Sequence, residues 1–340
     1  MGAKVISRKV VCPRCWLSYT GTVAGSLGAL GVDCDIVDVG GYSGYAFIIN
    51  VPKGETDPSG PTAFMFEYDF VRDQIVKGTE SLGLTIEVYQ DPAEFEPLGR
   101  EPTPEELERA KKLFDTVRRE IDDRDRPVVV WGLPVPDYGV AIGYDGDSYI
   151  PVTVYGEGYL GEPVPYYRLQ APGKLQALFF RDEVELKTET IDREALERAV
   201  RLASWNAPST SMWVMGPAAL DTWAEALQQL PNIRDYWHGY GGNSYTAQCV
   251  RESRFISAEF LRRLYGKRQG REYEPLLEAA ECYDREMKLM DEFTRIFPFS
   301  DTPSPRTEIG PEHIKRGVEI LKKIKPLEEQ AVRHMKKTPK

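Results

Sequence analysis

The first residues of the chain with types and spacing suited to chemistry are Cys12-Pro13-Arg14-Cys15. Two thiols at this spacing fit half of a zinc site or a redox pair, but a structural zinc takes a second pair of ligands, and Cys34 has no partner at ligand spacing. Unspecialised reduced thiols are therefore expected, with no metal. The three histidines, His238, His313 and His334, are few for a Cys-His or Ser-His enzyme, which needs its base placed beside the nucleophile. His313 and His334 fall in a charged helical stretch. His238 stands in Tyr236-Trp237-His238-Gly239-Tyr240-Gly241-Gly242-Asn243, an aromatic, glycine-rich segment of the kind that lines pockets. Trp237, His238 and Asn243 are site candidates on that ground, although the same segment could simply pack its aromatics between helices. Gly40 to Phe47 and Pro58-Ser59-Gly60-Pro61-Thr62-Ala63 concentrate glycine and hydroxyl residues. They permit turns and close backbone approach, which makes Ser43, Tyr45 and Ser59 candidates for ligand contacts or parts of tight loops around a small-residue core.

Elements of two kinds must position these residues. A length of 340 residues suits two domains. Ala3 to Val11 reads as a strand, and Val23, Leu27 and Leu30 mark a helix closed by Gly31. Tyr45 to Asn50 reads as a second short buried strand. Thr103-Pro104-Glu105-Glu106 has the form of a capping box, opening a helix that buries Leu107, Ala110, Phe114, Val117 and Ile121. Pro127 to Leu133, Tyr138 to Tyr144 and Ser148 to Tyr155 then form an antiparallel meander, completed by Leu175 to Arg181. The class is α+β, and no dinucleotide fingerprint or other cofactor signal appears. From about residue 186 the texture becomes all-α. Asp192 is placed to N-cap one helix, Pro217 opens a second, the stripe Leu276, Ala280, Tyr283, Met287, Met290, Thr294 and Phe297 marks a third, and Pro311 opens the last. Residues 1–185 and 186–340 are the expected domains.

Composition narrows the partners. With 43 Lys and Arg against 53 Asp and Glu, the formal charge is −10, and no basic stripe interleaves with aromatics, so nucleic acid is not expected. Five scattered cysteines suit a reducing, cytoplasmic setting. Cys15 to Val32 is uncharged, but its four glycines and its Ser and Thr residues dilute it below a spanning or signal helix. It is expected to be a buried helix of a globular core, and no membrane partner is expected.

Several of these segments occur in a familiar order. The helix led by Trp16, the Tyr-Ser-Gly-Tyr-Ala-Phe segment with Asn50, Pro-Ser-Gly-Pro-Thr-Ala and Tyr-Gly-Val-Ala-Ile-Gly-Tyr-Asp resemble the papain-like, C39-peptidase-like superfamily. Within it the likeness is to butirosin biosynthesis protein H and its relatives. Gly216 to Trp223 and Asn243 followed by Arg251 and Arg254 resemble the helical domain of such proteins. The resemblance implies a papain-like first domain and a thiol enzyme, in which a cysteine at the N-terminus of the first core helix attacks an acyl group and a histidine opening a later strand acts as base. Counted back from Gly31, the cysteine position is Ser18, with Cys15 as the alternative nucleophile; the histidine position before Val140 is Tyr138 or Gly139. Trp16, Asn50, Trp131 and Arg254 join the expected ligand contacts.

Two functions follow as expectations. The preferred one is a papain-like module without a Cys-His dyad that binds a small molecule, peptide or acyl carrier in a cleft between the sheet and the helical domain. The other is an active acyltransferase or amide hydrolase using Ser18 or Cys15, with His238 as base.

Overall fold

Val128-Val129-Val130 is a run of β-branched residues, and all three are fully buried. A strand buried on both faces needs cover on both sides, and the surrounding sheet supplies the frame for it. A computed structural model describes residues 2–56, 68–95, 100–156, 161–184, 188–268, 270–300 and 309–339. Ser59 and its Pro-Ser-Gly-Pro-Thr-Ala segment lie outside the described residues. The chain divides into two compact units, residues 1–39 with 66–186, and residues 40–65 with 187–340.

The first unit is an antiparallel sheet with helices. Strands β3 (Leu84–Gln90), β4 (Val128–Trp131), β5 (Tyr138–Asp145), β6 (Ser148–Val152), β7 (Val164–Pro165) and β8 (Gln176–Glu183) run in the order β3-β8-β4-β5-β6-β7. The meander expected from the valine-rich runs is present, with Val129 opposite Val140 and Val140 opposite Val152. Strand β1 (Ala3–Val5), shorter than the expected Ala3 to Val11, pairs with residues 143–145 of β5, beyond the stretch that β4 occupies. Helix α1 (Ser18–Ala29) packs on β4 and β5, and Gly31, at φ +92°, follows its C-cap as expected. Helix α3 (Asp69–Glu80) packs on β3. The Thr103 box forms: the Thr103 hydroxyl accepts from Glu106 N at 3.2 Å while Glu106 Oε2 accepts from Thr103 N at 2.8 Å. It starts α4 (Pro104–Arg124), in which Ala110, Phe114, Val117 and Ile121 are buried and Leu107 is half-buried.

Ten consecutive residues of α1, Ser18 to Leu27, are buried, and its glycines explain how the neighbouring chain gets so close. A Cβ at Gly25 would stand 2.8 Å from the Val11 carbonyl oxygen and 2.9 Å from Cys12 Sγ; at Gly21 it would stand 2.5 Å from Cys15 Sγ. The Cys-Pro-Arg-Cys segment is thus a strap whose sulfurs fill two notches one helical turn apart. Gly28, on the exposed side, has nothing within 4 Å of such a Cβ. Gly25→Ala is expected to destabilise by about 1–3 kcal/mol through overpacking, although alanine is the better helix former by about 1 kcal/mol. Gly28→Ala should stabilise by roughly 0.5–1 kcal/mol, and urea melts of the two variants check the opposite signs.

The chain leaves the first unit within α2 (Ile36–Tyr42) and the second unit begins. Two expectations are corrected here. Tyr45 to Asn50 is not a strand: Ser43 Oγ accepts from Tyr45 N at 3.1 Å, Gly44 takes φ +76°, and Tyr45–Phe47 forms a 3₁₀ turn. The strand β2 starts only at Asn50 (Asn50–Pro52) and pairs with β9 (Trp213–Met215), so the second unit is mainly helical and not all-α. Its helices are α5 (Thr188–Ala203), α6 (Pro217–Gln229), α7 (Tyr240–Arg268), α8 (Glu274–Ile296) and α9 (Pro311–Lys337). Pro217 and Pro311 sit in the first turn of their helices, where a missing N–H costs nothing. Asp192 lies inside α5 and is not its N-cap. Helix α7 packs on α8, α8 on α9 and α9 on α6, around Trp223, Phe293, Phe297, Leu321 and Ile324 together with Ile49 and Val51. Among the described residues, no helix is long and apolar enough to cross a membrane.

Candidate functional site

In the first unit, the first residue of α1 is Ser18, so its side chain stands where the free amides of a helix N-terminus create a positive field. Its hydroxyl donates to Asp137 Oδ1 at 2.7 Å and accepts from Tyr138 N at 3.2 Å. Tyr155 donates to the other carboxyl oxygen, Asp137 Oδ2. Asp137 ends the loop between β4 and β5, and its carbonyl accepts from Gly132 N at 2.9 Å. Ser18 and Asp137 are both buried.

The sequence placed a histidine equivalent at Tyr138 or Gly139, and neither residue faces Ser18 with its side chain chemistry. Neighbouring residues of an extended chain point opposite ways, and Tyr138 turns inward. Its ring packs against Tyr19 and Trp131, with centroids 5.6 and 5.2 Å apart. Its hydroxyl donates to Gln176 Oε1 at 2.5 Å, and Gln176 Nε2 donates to Gln90 Oε1 at 2.9 Å. Gly139 has no room for any side chain, since a Cβ there would lie 1.9 Å from the Leu133 carbonyl oxygen. Asp137 is the residue that the sequence reading missed. Its position after Val135-Pro136 reads as turn chemistry, and nothing local marks a partnership with a serine so far away in the chain.

The other candidates of this unit are structural neighbours of that centre. Trp131 is buried and its indole donates to the Pro172 carbonyl at 3.0 Å. Trp16 is half-buried at the lead-in to α1. Cys15 is buried, and its thiol donates to the Leu17 carbonyl at 3.4 Å. Burial pushes the Cys12 thiol up to about 12, and burial with Asp38, Asp35 and Asp33 nearby pushes Cys34 up to about 12 as well. Thiols so placed stay protonated at neutral pH and are poor nucleophiles.

The remaining candidates belong to the second unit. Ser43 and Tyr45 are buried in the turn after α2, and Asn50 is buried at the start of β2. Trp237 is exposed, edge-on to Tyr236. His238 Nδ1 lies 2.7 Å from Glu55 Oε2, and the His238 carbonyl accepts from Thr56 N at 3.1 Å. Asn243 lies within α7, where its Oδ1 accepts from the Trp223 indole at 2.8 Å. Arg254 is completely buried in the helical core: Nε donates to Glu286 Oε2 at 3.0 Å, Nη1 donates to the Ala46 carbonyl at 2.8 Å, and Nη2 lies 3.1 Å from Glu328 Oε2. The structure therefore brings together Ser18 and Tyr138, with Asp137 and Tyr155 added. It places every histidine of the chain in the second unit and none in the first.

Among the described residues, no three His, Cys, Asp or Glu side chains converge as a metal site. No protein-family model matches the sequence, and no curated protein matches it.

Proposed function

We propose that the chain is a papain-like module that binds a small molecule, peptide or acyl group around the N-terminus of α1 without performing dyad chemistry. The observation that carries this reading is the 2.7 Å bond from the Ser18 hydroxyl to Asp137. A serine nucleophile needs a base that takes its proton as it attacks, and an ordinary aspartate is a base roughly 400-fold weaker than an imidazole. A carboxyl group beside Ser18 also draws on the field at the helix start that would otherwise stabilise a developing oxyanion. The raised thiols of Cys12 and Cys34, and a Cys15 thiol that is buried and turned to the Leu17 carbonyl, offer no better nucleophile.

Incubation of the full chain with an acyl thioester and with a fluorophosphonate, followed by intact mass and peptide mapping, is expected to leave Ser18 and Cys15 unmodified. Ligands retained through purification can be found by native mass spectrometry. For any such ligand, Ser18→Ala should change affinity by no more than about tenfold, the worth of about one neutral hydrogen bond. An acyl adduct on Ser18 or Cys15, with turnover abolished by substitution of that residue, would overturn the reading in favour of an acyltransferase or amide hydrolase.

A further inference from the structure

Helix α9 differs in charge from the chain around it. It carries eight Lys and Arg against four Glu, while the whole chain has 43 against 53 Asp and Glu. One of those four glutamates, Glu328, is buried beside Arg254 and adds nothing to the surface. We propose that the outer face of α9 docks an acidic helix of a partner protein. This surface lies on the second unit and does not depend on the reading of Ser18.

The flanks of α9 are neutralised by neighbouring helices: Arg316 Nη2 lies 2.6 Å from Glu292 Oε1 on α8, and Lys325 pairs with Asp221 on α6. The crest between them is not. Lys315, Lys322, Lys323, Lys336 and Lys337 are exposed and make no hydrogen bond or ion pair among the described residues. Arg333, also exposed, reaches Glu329 only at 3.9 Å. At about 3.6 residues per turn Lys315, Lys322, Arg333, Lys336 and Lys337 fall within a band roughly 100° wide that runs roughly 33 Å along the helix.

A face that only keeps a helix in water pairs its charges within the helix, lysine to glutamate four residues away. Here those partners are missing. The residues four before and four after Lys322 are Val318 and Pro326, Lys336 has Val332 and Lys340, and Lys337 has the like charge of Arg333. Glu319, four before Lys323, instead meets Arg316 Nη1 at 3.1 Å. The helix dipole favours cations in the last turn, as at Lys336 and Lys337, but does nothing for Lys315, Lys322 or Lys323.

The rest of the molecule selects the kind of anion. Nucleic acid or an anionic bilayer is a broad field of charge that would also meet the acidic remainder of the chain. The uncharged positions of the crest, Pro326 and Gln330, offer no ring to stack on a base and no long apolar chain to enter lipid. A single helix is about 10–12 Å across, close to the screening length of about 8 Å at physiological salt, so it can lie on the stripe with the acidic surroundings screened. Glu312, Glu319 and Glu329 remain on the crest. They oppose a continuous row of phosphates, whereas a mainly acidic helix can set a lysine against each.

The test uses the full chain and fluorescence anisotropy with two stapled, alanine-based helical peptides of one composition, one with its glutamates along a single face and one with them spread around the helix. The one-faced peptide should bind at least about tenfold tighter than the other and weaken with added salt. Lys322→Glu and Lys336→Glu should each weaken it at least about fivefold, while Lys112→Glu, at an exposed lysine of α4 in the first unit, should leave it within about twofold. Glutamate is about as good a helix former as lysine, so circular dichroism should stay native; Lys322→Gln and Lys336→Gln serve if it does not. A short DNA duplex and phosphatidylserine vesicles should each bind more weakly than the one-faced peptide. Equal affinity for the two peptides, tighter binding of DNA or vesicles, the same loss from Lys112→Glu as from Lys322→Glu, or no binding of the one-faced peptide overturns the proposal.

Discussion

Replacing Arg254 with methionine is expected to destabilise the second unit by about 3–5 kcal/mol, measured by guanidinium denaturation. The side chain has no exposed surface, and its guanidinium is held among Glu286, Glu328 and the Ala46 carbonyl. Removing the cation leaves two carboxyl groups in the core without a counter-charge and takes one of its two donors from the Ala46 carbonyl, which keeps the Ser257 hydroxyl at 3.0 Å. The triple variant Arg254→Met/Glu286→Gln/Glu328→Gln should recover most of the loss, because it removes the charges together instead of stranding them.

The same cluster gives a pH dependence of defined sign. Burial, with Glu328 beside it, holds the Glu286 carboxyl well above the ordinary glutamate range. One proton and the Arg254 charge then leave the cluster neutral. A group whose folded pKa is raised contributes stability that is fully present below its unfolded value, about 4.3 for glutamate, and is lost as pH rises through the folded value. The stability of the parent protein relative to Glu286→Gln should therefore fall with rising pH above that unfolded value. A parent that instead gains stability relative to Glu286→Gln as pH rises would show that Glu286 is ionised in the folded state.

Gly139→Ala is expected to cost about 3 kcal/mol or more, at the upper end of overpacking effects, and to lower the melting temperature of the first unit in calorimetry. The obstructing atom is the Leu133 carbonyl oxygen, 1.9 Å from the position of the new Cβ. A backbone oxygen cannot swing aside as a side chain would, so either β5 shifts against β4 or the Gly132–Asp137 loop opens. Tyr138→Phe, one residue away, should cost only about 1 kcal/mol for its hydrogen bond to Gln176, which separates the steric effect from a general sensitivity of the strand. The crowding at Gly139 also bears on chemistry, since no imidazole can stand at that position in this fold without rebuilding the loop.

The elements that could be read from the sequence are those with local causes. The Thr103 box, Gly31 after α1, the prolines opening α6 and α9 and the valine-rich strands each depend on a few adjacent residues, and each appears where the pattern puts it. The apolar run from Tyr45 to Asn50 was misread because a short buried run has the same composition whether it is strand or tight turn; Ser43 and Gly44 decide the matter. Helix α5 begins at Thr188, and Asp192 serves Tyr42 and Lys267 far away in sequence, which no capping pattern reveals. The candidate site divides along the same line. Ser18 came only from the resemblance, as the nucleophile position counted back from Gly31, whereas Asp137 and the Glu286–Arg254–Glu328 cluster are made by tertiary contacts alone.

One edge of β5 is shared end to end by two strands, β4 along residues 138–141 and β1 along residues 143–145. Only three residues, with the Ile6 amide donating to the Ile142 carbonyl, cover the second part. Should β1 peel away, through truncation, a bulky fusion or mechanical pull, a row of bare amides and carbonyls would open on a strand that is otherwise locked into the middle of the sheet. Such an edge is a template on which another chain can add itself. The short leading strand thus acts as a seal against intermolecular β-pairing, and handling that spares the fold elsewhere could still turn the protein toward aggregation by lifting it.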